Sequence, residues 1–97
     1  MSAAAVELLG EGRIAVRGPL RFGTVPGVWR AARALATDSP RLTIDLAGVT
    51  EADSAALALL VEWMREARQR GAEVHFAGMP RQLEAIARVS GLEGLLP

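Results

Sequence analysis

Apolar positions along the 97-residue chain switch between a two-residue and a helical period, and the switches predict an alternating series of strands and helices. Arg13-Ile14-Ala15-Val16-Arg17 alternates and reads as a strand. Val6-Glu7-Leu8-Leu9 precedes it and is placed to pair with it through Gly10-Glu11-Gly12 as a hairpin. Gly18-Pro19 is expected to end that ladder. Arg21 to Pro26 reads as a loop with Thr24 as candidate cap, and Pro26 suits a first helical turn. Val28, Trp29, Ala32, Leu35 and Ala36 then recur at helical spacing, with Arg30 and Arg33 pointing away, until Asp38-Ser39-Pro40 stops the helix. Leu42-Thr43-Ile44-Asp45-Leu46 is the clearest strand, and the turn-prone Ala47-Gly48-Val49-Thr50 follows it. The central helix runs from about Ser54 to Arg70, closed by Gly71. Glu73 to Ala77 is a strand and Gly78-Met79-Pro80 a turn. A third helix starts near Pro80, with Leu83, Ile86, Ala87 and Val89 assigned inward and Arg81, Glu84 and Arg88 outward. Ser90-Gly91 ends it, and Leu92, Leu95 and Leu96 are expected to fold back as a short tail.

The order is thus β-β-α-β-α-β-α, an α/β domain with a mixed, mostly parallel four-stranded sheet and three helices. An antiparallel hairpin strand is expected at one edge. No repeat, linker or low-complexity tract divides the chain, so residues 1–97 are expected to form a single domain.

The central helix carries the strongest functional signal. Asp53 and Ser54 stand where a helix start leaves backbone N–H groups without partners, and both are suited to cap it. At about 100° per residue, Ala56, Leu59, Leu60, Trp63 and Ala67 form the core stripe, flanked by Leu57 and Met64. The opposite side carries Ser54, Ala58, Val61, Glu62, Arg65, Arg68 and Gln69. Its second half is ordinary solvated charge, with Glu62 and Arg65, and Glu66 and Arg70, at supportive spacing. Its first half differs: Ser54, Ala58 and Val61, with Leu57 beside them, make a small apolar outward patch next to a polar cap. Asp53, Ser54, Leu57, Ala58, Val61 and Arg65 are therefore the candidate partner-binding residues.

Composition removes most other functions. Lys plus Arg and Asp plus Glu each number 11, so the formal net charge is zero, and every basic residue except the lone histidine is arginine. Without a basic run or interleaved aromatics, nucleic-acid binding is not expected. The absence of cysteine excludes disulfides, zinc-thiolate sites and a cysteine nucleophile. The first residues lack a basic region followed by a long apolar segment, and the run Ala55 to Val61 is far shorter than the ~20 residues of a membrane-spanning helix. A soluble cytoplasmic protein is expected, with membrane association only through a partner.

Catalytic constellations are equally sparse. His75 has no second histidine or cysteine to complete a metal site, and lies on the strand face opposite Val74 and Phe76. Asp45 and Asp53 lie near the ends of adjacent elements and are the candidates for a carboxylate pair, although turn and capping roles are favoured. Gly10-Glu11-Gly12 lacks the strand–loop–helix setting of a nucleotide-binding loop. Trp29 and Trp63 fall on inward stripes as core anchors. No enzyme, cofactor, metal or small-molecule ligand is expected.

These residues resemble a known family. The element order, with Thr43-Ile44-Asp45-Leu46 followed by Val49-Thr50-Glu51-Ala52-Asp53-Ser54-Ala55-Ala56-Leu57, resembles the STAS domain, the SpoIIAA-like fold of anti-sigma factor antagonists. In that family a strand ending in Asp-Leu leads into Asp-[Ser/Thr]-x-Gly-[Leu] at a helix start. The Asp53-Ser54-Ala55 start, Leu57-Ala58-Leu59-Leu60, Val25-Pro26-Gly27-Val28-Trp29 and the closing segment from Ile86 to Pro97 are most similar to the branch serving phospholipid-transport ABC complexes. That resemblance implies a non-catalytic subunit that binds the complex's ATPase at the inner face of the membrane. The alternative it leaves is an anti-sigma factor antagonist that binds a kinase-like anti-sigma factor. Two departures matter: Ala55 occupies the family's phosphorylated-serine position, so phosphorylation there is not expected, and Ala56 replaces the family glycine.

Overall fold

The structure, a computed structural model, describes residues 3–35, 39–92 and 94. Its elements are β1 (Ala5–Gly10), β2 (Arg13–Leu20), α1 (Val25–Leu35), β3 (Arg41–Ala52), α2 (Ser54–Gln69), β4 (Glu73–Ala77) and α3 (Arg81–Val89). The strands lie in the order β1-β2-β3-β4. β1 pairs antiparallel with β2, while β2–β3 and β3–β4 are parallel. The expected fold class and element order therefore hold. Ala36 and Asp38 of the expected helix end, and Leu95 and Leu96 of the expected tail, lie outside the described residues.

Register explains why one face of the sheet is core. Leu8 lies opposite Ile14, Ile14 opposite Ile44, and Ile44 opposite Phe76, so one apolar row crosses all the strands. Ile14, Ile44 and Phe76 are buried and share one cluster with Val28 and Ala32 of α1, the inward residues of α2, and Leu83 and Ala87 of α3. The helices thus cover that face. The other face carries the ion pairs Glu7–Arg17 at 2.6 Å and Arg13–Asp45 at 3.7 Å, with the exposed His75 beyond them. Exposed pairs of this kind contribute little stability.

Two boundaries differ from the sequence expectation for one reason. Gly18-Pro19 does not end β2, and Ala47 to Thr50 is not a turn: both segments continue as strand, to Leu20 and Ala52. The ladder slips between Ala15 and Arg17 and again between Gly18 and Pro19. Bulges insert unpaired residues and shift the side-chain phase, so the buried positions of β3 run Leu42, Ile44 and Leu46, then Val49 and Ala52. Gly18 stands at the second slip with φ +86°, where a Cβ would lie 2.7 Å from the Ala3 carbonyl oxygen. The consequence is positional: β3 runs without a loop up to Asp53, the residue before α2.

Val89 is a further correction. It is 90% exposed, because the helical period places it away from the arc of Leu83, Ile86 and Ala87 at the last residue of α3. Leu92, after the Ser90-Gly91 ending, packs against the core as expected.

Candidate protein-docking site

Helix α2 begins where a bulged strand, a loop and a helix converge. Asp53 is its N-cap, with extended backbone, and Oδ1 accepts the Ala55 N–H at 2.8 Å. Oδ2 accepts the Phe22 N–H at 3.0 Å, and the Asp53 N–H donates to the Leu20 carbonyl at 3.1 Å. One carboxylate thus joins the β2–α1 loop to the helix start. Gln82 of α3 adds a second tie, its Oε1 accepting the Ala52 N–H at 2.8 Å.

Ser54 is therefore not the cap. It is exposed, and among the described residues its hydroxyl has no hydrogen-bond partner. Removing that hydroxyl changes no internal contact. Ser54→Ala is expected to alter stability by less than about 0.5 kcal/mol in chemical denaturation, whereas Asp53→Ala loses the cap and about 1 kcal/mol. A binding defect in Ser54→Ala would then report direct contact with a partner.

The outward patch is as expected at Ala58 and at Val61, which is 36% exposed. Arg65 is exposed and pairs with Glu62 at 3.6 Å. Leu57 is a correction: it is 5% exposed and belongs to the core. α2 packs against α1 on one side and α3 on another, as well as the sheet, so its buried arc is wider than a single stripe. Leu57 falls within that arc and leaves the surface patch. Ala56, at the family's glycine position, is fully buried, and its methyl group fills core space.

Trp29 also sits differently from expectation. Trp63 is buried and lies 6.3 Å from the Phe76 ring, a true core anchor. Trp29 is only half-buried, with the Arg33 guanidinium 5.5 Å from its ring centroid. With Val25 and Pro26 of α1 and Ala58, Leu59 and Glu62 of α2, it lines an apolar groove of 340 Å³. The α2 patch thus continues across the groove onto α1. Helical spacing marks Trp29 as an aromatic of the inner stripe; in the structure its ring lines the groove opposite the small Ala58 and stays half-exposed.

Asp45 does not join Asp53. It accepts the Ala47 N–H at 2.9 Å and pairs with Arg13, while Asp53 lies eight residues further along the chain, roughly 20 Å or more for extended backbone. Among the described residues no group of His, Asp or Glu is arranged to hold a metal ion. The arrangement is suited to binding a polypeptide: hydrogen-bonded backbone, small side chains and an apolar groove edged by charge.

Comparison with known proteins agrees with this architecture. Residues 4–97 match the family model described as "Mlab, STAS domain", and the chain belongs to the STAS domain family. No curated protein matches the sequence. The anti-sigma factor antagonist SpoIIAA, a Bacillus cell fate determinant, superposes in its unphosphorylated form with a TM-score of 0.72 at 16% identity, over 98% of this chain and 86% of that one. An anti-sigma factor antagonist from Mycobacterium paratuberculosis gives a TM-score of 0.72 at 24% identity, over 98% and 82% of the two chains. Mglu matches 79% of this chain at 28% identity and a TM-score of 0.60, but the match spans only 20% of Mglu. These likenesses show a shared fold.

Proposed function

We propose that this chain is a non-catalytic regulatory or assembly subunit that docks on the ATPase of an Mla-like ABC-type phospholipid transporter. The observation that carries the reading is the exposed Ser54–Ala58–Val61 ridge, which continues into the apolar groove at Trp29. Contiguous apolar surface on a small domain marks a docking site. The match to the family model described as "Mlab, STAS domain" supports the choice of partner. No helix among the described residues is long and apolar enough to cross a membrane, so in this reading the partner brings the chain to the inner face of the membrane.

The alternative partner is a kinase-like anti-sigma factor, a reading favoured by the fold shared with SpoIIAA. Ala55 opposes it, because a methyl group at the family's phosphorylation position cannot accept a phosphoryl group. Affinity purification of tagged protein from its native cells separates the two. A transporter ATPase is expected to co-purify; recovery of a serine kinase-like protein without an ATPase would overturn the proposal in favour of signalling.

A further inference from the structure

Phe22 is 84% exposed at the turn between β2 and α1, although a phenyl ring ordinarily favours burial. The turn beneath it is well tied. Thr24 Oγ1 donates to the Pro19 carbonyl at 2.7 Å and accepts the Arg21 N–H at 2.9 Å. The Val25 N–H donates to the Arg21 carbonyl at 2.9 Å, and the Phe22 N–H is held by Asp53. An exposed aromatic on backbone already ordered loses little further freedom on binding, so most of its burial appears as affinity. The same Asp53 carboxylate caps α2, which places Phe22 in fixed relation to Ser54.

Charge adds a second observation. Helix α1 contains no acidic residue, and its exposed Arg30 and Arg33 make no ion pair among the described residues. Arg33 lies over the Trp29 ring at the groove and Arg30 lines the surface beside the Gly23–Thr24 turn, while the groove's own Glu62 is paired with Arg65. Cations left without a carboxylate in this way complement a partner that supplies one. Aromatic and arginine side chains are also the types that dominate binding energy at interfaces.

We infer that Phe22 is an anchor of the docking face, that Asp53 is its positioning residue, and that the receiving surface on the ATPase is an apolar socket bordered by carboxylates facing Arg30 and Arg33. This rests on the docking function proposed above and extends it to a second element. Asp53→Asn isolates the positioning role. Its amide oxygen still caps Ala55, since asparagine is a good N-cap, but its NH2 group then faces the Phe22 N–H, donor against donor.

The test is titration of the purified ATPase with the full chain and its variants by calorimetry. Phe22→Ala is expected to weaken binding about tenfold or more with an unchanged thermal midpoint. Arg30→Glu is expected to weaken it by about tenfold at low salt and to converge on wild type near ~0.5 M salt, where exposed charges are screened. Asp53→Asn is expected to weaken binding alone but to add nothing in a Phe22→Ala background, the coupling expected of residues that act together. Wild-type affinity in both Phe22→Ala and Asp53→Asn, with Val61→Glu weakened, would overturn this inference while leaving the docking function intact. An equal Asp53→Asn loss in both backgrounds would overturn the positioning role. Failure of the wild-type chain to bind the ATPase would overturn the docking function itself.

Discussion

Leu60→Ala is expected to lower the unfolding free energy by about 2–5 kcal/mol, read as a shifted denaturant midpoint at unchanged slope. Leu60 is completely buried in the middle of α2, within the cluster that joins the sheet to all the helices. Truncation removes methyl groups from water-free surroundings and leaves a cavity that the flanking elements only partly close. A domain of this size has roughly 5–15 kcal/mol in total. The single change therefore consumes a large share of it. A loss below about 1 kcal/mol would show that α2 is not seated on the sheet as described.

Its neighbour in sequence is expected to behave oppositely. Val61→Glu should leave the thermal midpoint nearly unchanged and weaken partner binding by about thirtyfold or more, equivalent to about 2 kcal/mol. Val61 is partly open to solvent, glutamate is the better helix former, and the new carboxylate stands four residues before Arg65. Folding thus has little to lose. In the complex, the carboxylate must give up water against an apolar surface, and an unpaired buried charge is costly. Adjacent residues, one deciding the fold and the other deciding adhesion, separate the two roles of α2. Unchanged affinity in Val61→Glu would remove the outward ridge from the interface.

Much of this division is legible in the sequence because helical periodicity is a property of adjacent side chains. Leu59, Leu60 and Trp63 on one side, and Ser54, Ala58 and Val61 on the other, are placed by angle alone. Leu57 is misplaced by the same reasoning because angle does not reveal how many neighbours a helix has; contact with α3 widens the buried arc. The full length of β3 is hidden for a related reason. A bulge breaks the two-residue alternation, and Gly48, where pairing resumes opposite Arg17, imitates a turn. Phe22 gives no signal because a lone aromatic between Arg21 and Gly23 has no periodic company. Its importance arises from Asp53, thirty-one residues away, a contact that only the fold creates.

Asp53 and Ser54 show the same limit at a finer scale. Both are good capping residues, so sequence leaves the cap shared between them. The backbone assigns it to Asp53 and frees the Ser54 hydroxyl for the surface. That assignment turns Ser54→Ala from a stability experiment into a binding experiment.

The most direct measurement is photo-crosslinking in the native cell, with a photoreactive amino acid placed in turn at Ala58 on the docking ridge and at His75 on the open sheet face. Both sites are exposed, so neither substitution disturbs the core. Crosslinking to the transporter ATPase from position 58, and none from position 75, is the predicted result. An ATPase adduct from position 75 alone would contradict it.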